Sequence, residues 1–284
     1  MSSHLWSAAV SLIPAVGAAL VSVSACQSEP PPLAADQSLV PSGIYRLGSD
    51  PEERRLGYEL SPRAVSEGHW YDAWESAPRH VDVRQFAIDR TPVTQSEYAE
   101  FVGATGHRSP AIDSAAYASQ GFLVHPYVEV RPFVWSGGSP PDGLDDHPIV
   151  LVSHEDASAY CAWKGGEEGR RLRLPTESEW ESACRGVPVR TFPWGNEWRD
   201  GFAQIEAAGT SSVWAHPDGA TPGGVLDMAG NVFEWTASAM PNGNPALRSC
   251  SWDDAPGTCR CAFRHGRPAE SRHILIGFRC VEGR

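Results

Sequence analysis

The chain has 284 residues, which suits one large domain or two small ones. A hydrophobic content of 41% with 11 Trp can build a sizeable core, while 27 Gly and 24 Pro predict many turns and long loops. The formal net charge of −12 argues against a nucleic-acid surface, which needs a basic stripe to meet phosphate. It fits a soluble protein, or one that binds cations.

Residues 1–25 read as a signal peptide. The apolar run over residues 8–23 is broken by Ser11 and Pro14, too short and interrupted for a transmembrane helix. It ends in Val23-Ser24-Ala25-Cys26, which resembles a bacterial lipobox, so Cys26 is expected to become the lipidated N-terminus. An ordinary secretory signal cleaved near Ala25 is the alternative, and either exports the chain. Residues 27–37 (QSEPPPLAADQ) form a polar, Pro-rich tether of the kind that carries a domain away from a membrane. Neutral Gln27 and Ser28 after the Cys suit outer-membrane sorting. The expected organisation is therefore a signal and lipobox over 1–26, a tether over 27–38 and a domain over 39–284. The location is periplasmic, with the membrane reached through the N-terminal anchor.

Residues 39–48 (LVPSGIYRLG) predict an opening hairpin. Residues 81–90 alternate enough for a strand, with Val83, Phe86 and Ile88 partly buried. Three capping boxes follow, in which Ser or Thr is matched by an acid three residues on. Thr94 with Glu97 opens a helix through Tyr98, Phe101 and Val102. Ser153 with Asp156 opens one through Ala157, Tyr160 and Cys161. Thr176 with Glu179, after Pro175, opens one through Trp180 and Cys184. Residues 103–148 are loop-like and rich in Gly, Pro and aromatics. No zinc spacing joins the His residues; the closest pairs are His147 with His154 and His265 with His273. A nucleotide-binding Gly-rich loop and a Gly-x-Ser-x-Gly elbow are both missing.

Residues 223–236 (GGVLDMAGNVFEWT) mix chemistry that a plain strand or helix would not. Three Gly permit unusual backbone, Asp227, Asn231 and Glu234 offer oxygen, and Met228, Val232, Phe233 and Trp235 need a core. Two readings stand: an ordinary Gly-rich loop beside a Trp, or a turn folded around a hard cation such as calcium, which takes six to eight oxygens.

This stretch resembles the signature of the formylglycine-generating enzyme family, also called sulfatase-modifying factor domains. Further motifs occur in the family's order: FAIDRTPVT over 86–94, VSHEDASAYCAW over 152–163, RLRLPTESEW over 171–180, FPWGN over 192–196, RSCSW over 248–252 and GFRC over 277–280. The resemblance covers residues 39–284. It implies an α+β fold, the elaborated relative of the C-type lectin fold that this family shares, with little regular secondary structure.

The chain holds 7 Cys, and Cys26 is the natural odd one. The remaining six should oxidise in an exported protein. The resemblance implies Cys161–Cys280 and Cys184–Cys261, the second supported by the match of Arg260-Cys261-Ala262 to the family's Arg-Cys-Ala. Family enzymes oxidise a substrate Cys to formylglycine with oxygen and copper(I), held by two thiolates after a Gly-Gly-Ser-Tyr segment. This chain departs there. Counting forward from Ser251 puts Asp254 at the first Cys position, Cys250 replaces the second Gly of Arg-Gly-Gly-Ser, and the second position falls on Pro256 or Cys259 depending on the direction of counting. Phe233 stands at the aromatic position before the signature Glu. A third disulfide, Cys250–Cys259, is the favoured reading, and a relocated copper pair is the alternative.

The resemblance also implies one calcium site, with ligands Asp227, Gly230, Val232 and Glu234, the two middle residues through backbone oxygen. A second family site is not expected, because Gln204 follows Ala203 where the family has Asn. The expected function is a calcium-stabilised binding or scaffold module for an unknown protein or small-molecule ligand, without formylglycine-generating activity. The alternative is a copper- and oxygen-dependent oxidase of a protein cysteine or a periplasmic small molecule, as in pyoverdine-maturation members. Cys250, Cys259 and Ser251 would then be its catalytic group.

Overall fold

The computed structural model describes residue 1, residues 33–121 and residues 125–283. Residues 2–26 of the expected signal and lipobox, Cys26 included, and the first half of the expected tether lie outside the described residues. Strands β1 (Gln37–Val40) and β2 (Gly43–Leu47) open the domain. Three short helices follow: α1 (Pro51–Glu59), α2 (Arg63–Glu67) and α3 (Trp70–Trp74). Asp50 caps α1 by accepting from the Glu53 N–H at 2.9 Å, and Pro51 suits the first turn, where its missing N–H has no helical partner to lose. Strands β3 (Arg79–Val83) and β4 (Phe86–Asp89) lead into α4 (Gln95–Thr105). Helices α5 (Ser114–Ala118) and α6 (Tyr127–Val130) interrupt the loop-rich stretch before α7 (His154–Glu167), β5 (Leu172–Arg173) and α8 (Glu177–Arg185). The last part carries β6 (Phe233–Ala239), β7 (Pro245–Arg248), β8 (His265–Gly266), β9 (Ile276–Gly277) and β10 (Val281–Gly283).

The three capping boxes start α4, α7 and α8 where the sequence places them. At α8 the Thr176 N–H donates to Glu179 Oε2 at 2.8 Å, and the Glu179 N–H returns to Thr176 Oγ1 at 3.2 Å. Each box satisfies N–H groups that a helix start leaves without partners.

Pairing between strands departs from the local reading. The expected hairpin over 39–48 is not one: β1 pairs antiparallel with β4, setting Gln37 opposite Asp89, while β2 pairs with β3 in a separate two-stranded sheet. The expected strand over 81–90 is likewise two strands in two sheets. Every residue of β4 is buried, whereas β3 is exposed along most of its length, so one continuous strand could not serve both settings. The folded unit also takes in Gln37 and Ser38, which the sequence places in the tether. Gln37 is buried because its amide donates to Asp89 at 3.0 Å.

Strand β10 joins β4 on its other edge, so both ends of the domain share one sheet, ordered β1-β4-β10-β5. The third sheet runs β8-β7-β6-β9. A large core between these layers holds Tyr98, Phe101, Tyr160, Trp235 and Phe278, and a smaller one holds Phe86, Trp180 and Met228. Two long-range disulfides tie the layers together. Cys161–Cys280 joins α7 to the approach of β10, and Cys184–Cys261 joins α8 to the stretch after residues 256–259. Their separations of 119 and 77 residues correspond, by loop entropy, to about 4–5 kcal/mol each.

Candidate functional site

Ahead of β6 the chain makes a turn through three left-handed residues: Asp227 (φ 53), Gly230 (φ 87) and Asn231 (φ 64). Asp and Asn adopt this region more readily than other side-chained residues. At Gly230 a Cβ would lie 2.6 Å from the Gln204 carbonyl oxygen, so only Gly fits. Asn231 Nδ2 donates to Asp227 Oδ2 at 2.9 Å and to the Ser211 carbonyl at 3.1 Å, which closes the turn.

Burial pushes the Asp227 carboxyl up to about 7, opposed by the Asn231 hydrogen bond and the Arg279 charge and reinforced by Glu234. Asp227 enters no ion pair among the described residues. Glu234 behaves differently. It is fully buried and accepts from Arg279 Nη2 at 2.7 Å, Arg279 Nε at 2.8 Å and Trp180 Nε1 at 2.8 Å. Arg279 also donates to the carbonyls of Leu226 and Asp89. The signature turn, the LPTESEW helix and the GFRC end are thus one hydrogen-bonded unit.

The expected calcium residues Asp227, Gly230, Val232 and Glu234 therefore share one turn and strand start, but they are not equally suited to a cation. Asp227 is a buried carboxyl with no ion pair among the described residues. The Glu234 carboxylate is already neutralised by Arg279, and the Gly230 carbonyl accepts from the Val232 N–H at 2.9 Å. Among the described residues no group of three or more His, Cys, Asp or Glu gathers as a metal site.

The second region begins where the Gly230 N–H meets Cys250 Sγ at 2.9 Å. Cys250 and Cys259 are joined, and both are fully buried. They close a short loop that carries Ser251, Asp253 and Asp254. The Ser251 hydroxyl donates within this loop, 2.5 Å from Asp254 Oδ2 and 2.7 Å from Asp253 Oδ1, and the Ser251 N–H donates to Asp254 Oδ2 at 2.8 Å. Asp253 pairs with His125 Nε2 at 2.9 Å, and His125 Nδ1 with Glu129 at 2.7 Å. Burial works to lower the His125 value, but these two carboxylates outweigh it and hold it above the ordinary value. Burial, with the Asp253 charge beside it, lifts Asp254 to about 7.

Asp254 opens onto a cleft of about 190 Å³, walled by Trp70, Trp74, Phe233, Phe263 and His265. Helix α3 supplies the two Trp four residues apart, on one helix face, and their rings stack at 5.6 Å. Trp74 stacks on His265 at 5.5 Å, and Phe233 meets His265 edge-on at 4.4 Å. Phe233 places this cleft directly beside the signature turn.

Ser251, Cys250, Cys259 and Phe233 were thus singled out by sequence, and the fold brings them together. Trp70, Trp74, Asp253, His125 and His265 were missed as site residues. The i, i+4 spacing of Trp70 and Trp74 was the one local signal available for them. Arg279 and Trp180 lay inside recognised motifs, but nothing local names Glu234 as their partner.

Residues 24–284 match a family described as the sulfatase-modifying factor enzyme 1-like domain. An inactive C-alpha-formylglycine-generating enzyme 2 of Bos taurus is 32% identical, covering 86% of this chain and 87% of its own length. A formylglycine-generating enzyme of Mycobacterium tuberculosis is also 32% identical, over 73% of this chain and 91% of its own. Among solved structures, PvdO from Pseudomonas aeruginosa superposes with a TM-score of 0.67 over 87% of this chain and 94% of its own, at 23% identity, a likeness of fold. The relatives thus include both an inactive protein and an enzyme by name, on one architecture. The motif order, the locked signature turn and these matches agree: the chain belongs to the family of sulfatase-modifying factor enzyme 1-like domains.

Proposed function

We propose that this protein is a binding module of its family, without formylglycine-generating activity, that receives a protein or small-molecule ligand in the cleft beside Asp254. The observation that carries this reading is the buried Cys250–Cys259 link. Copper(I) chemistry needs two thiolates, and these sulfurs are spent on each other. Asp254, at the counted position of the first thiol, is a hard oxygen ligand and a poor substitute for sulfur at copper(I). The donor set at this loop does not fit copper. Nonreducing peptide mapping should recover Cys250 and Cys259 in one linked pair. Incubation with copper(I), oxygen and a Cys-containing sulfatase-type peptide should leave the peptide mass unchanged. Free thiols at both positions together with aldehyde formation would replace the reading with a protein-cysteine oxidase. Free thiols that bind copper without oxidising the peptide would replace it with a small-molecule oxidase.

Calcium belongs to the same proposal, with Asp227 as its main side-chain ligand and the carbonyls of Gly230 and Val232 beside it. Asp227 supports this, being buried and in no ion pair among the described residues; Glu234 fits less well because Arg279 already holds it. Calorimetric titration of chelator-treated protein should give one site, weakened in Asp227→Ala. Equal binding by parent and variant would remove the assignment. Export through a lipidated Cys26 is the remaining part. Its support is the Val23–Cys26 sequence after an apolar run, and intact-mass analysis of membrane-extracted protein tests it. An unlipidated N-terminus would refute it.

A further inference from the structure

We propose that the cleft between α3 and the Cys250–Cys259 loop binds an alkylated ammonium group, its positive charge met by Asp254 and its apolar shell by Trp70, Trp74 and Phe233. The inference rests on the binding-module reading and names the chemistry of the ligand.

The first observation is the charge pattern. Several buried acids of this fold are neutralised by an Arg, among them Glu75 by Arg260 at 2.5 Å, Glu181 by Arg248 at 2.9 Å and Glu234 by Arg279 at 2.7 Å, whereas Asp227 and Asp89 lie inside the fold on hydrogen bonds, away from this cleft. Asp253 has His125. Asp254 has hydrogen bonds from Ser251 but no ion pair among the described residues, and it faces the cleft. Asp254 is half-buried, and a carboxylate on an apolar cleft wall gains most from a cation that arrives with the ligand.

The second observation is the wall. Trp70, Trp74, His265, Phe233 and Phe263 form a run of aromatic rings whose contacting pairs have centroids 4.4–6.4 Å apart. Ring faces attract cations, most strongly Trp. A metal ion would demand oxygen or nitrogen in numbers these rings do not supply. His265 is 4% exposed, and burial drives its value well below the ordinary one, so it adds no competing charge. Its Nδ1 is a buried polar atom at the cleft wall with no hydrogen-bond partner among the described residues. Arg267 also lines the cleft, and its charge acts on His265. The space of about 190 Å³ suits a head group of a few carbons.

Such a group can come from a free quaternary amine or from a methylated lysine on a protein. The test uses the full mature chain, titrated by tryptophan fluorescence and calorimetry at about pH 8, where Asp254 is ionised. The probes are choline, its neutral isostere 3,3-dimethylbutan-1-ol and a trimethyllysine peptide. At least one cation should bind, and the isostere should bind about tenfold or more weakly. Choline binding as tightly as the peptide identifies a free amine; tighter peptide binding identifies a protein source. Asp254→Asn should lose about tenfold for the cation and little for the isostere. Trp70→Ala, at a partly exposed position, should weaken the cation, while Trp214→Ala, exposed elsewhere, should not. No binding of either cation at millimolar concentration, or equal binding of the isostere, overturns the proposal. Because this readout is independent of peptide oxidation, failure here leaves the Cys250–Cys259 argument standing, and aldehyde formation would remove that argument without touching this one.

Discussion

Asp227→Asn isolates the cost of a buried, unpaired carboxyl in the signature turn. Burial carries Asp227 from an ordinary 3.8 up to about 7, so the folded state holds its proton where the unfolded chain has released it. Each pKa unit is about 1.4 kcal/mol, so ionising this group inside the fold costs up to about 4 kcal/mol. Between about pH 4 and 7 the folded state binds more protons than the unfolded state, and stability therefore falls as pH rises, with the full cost present above 7. Asn keeps an acceptor for Asn231 Nδ2 and carries no charge, so the variant lacks this slope. The assay is urea unfolding of parent and variant with chelator at about pH 5 and pH 8. The variant should be more stable by about 1–2 kcal/mol at the lower pH, where the unfolded carboxyl is already mostly ionised, and by about 4 kcal/mol at the higher one. Adding calcium should raise the parent more than the variant at the higher pH, by mass action. A stability difference that stays constant across this range would refute the reasoning, because it would mean that Asp227 ionises as freely in the fold as in the unfolded chain.

Arg279→Met should cost about 3–5 kcal/mol in urea unfolding, because it leaves the fully buried Glu234 charge with Trp180 alone. Gly230→Ala should cost about 2 kcal/mol or more by the same measurement, since the φ of 87° and the Gln204 carbonyl at 2.6 Å both oppose a side chain. Replacing both Cys250 and Cys259 by Ser should cost about 2.7 kcal/mol for a separation of 9 residues, against about 4.9 kcal/mol for the 119-residue Cys161–Cys280 link, read as shifts in denaturation midpoint.

Local chemistry was legible in the sequence wherever a few neighbouring residues decide the outcome. Thr94 with Glu97, Ser153 with Asp156 and Thr176 with Glu179 each complete a hydrogen-bonded box within four residues, so the helix starts need no tertiary information. Gly230 could be recognised as special because its neighbours mix oxygen and apolar groups so densely. The order of motifs carried the fold class and, by likeness, the Cys161–Cys280 and Cys184–Cys261 pairs.

Strand pairing was not legible, because β1 and β2 each satisfy their backbone groups with partners far along the chain rather than with each other. The same distance hides the site. Glu234 looks like a free oxygen ligand until Arg279, 45 residues on, takes its carboxylate. Trp70 and Trp74 look like two aromatics on a short helix until the fold sets them beside Asp254 and His265. What the sequence determined by itself were the contacts made within one turn of chain. Only the tertiary structure decided which buried charges are neutralised and which one is left facing a cleft, because a charge's cost depends on everything that surrounds it in space.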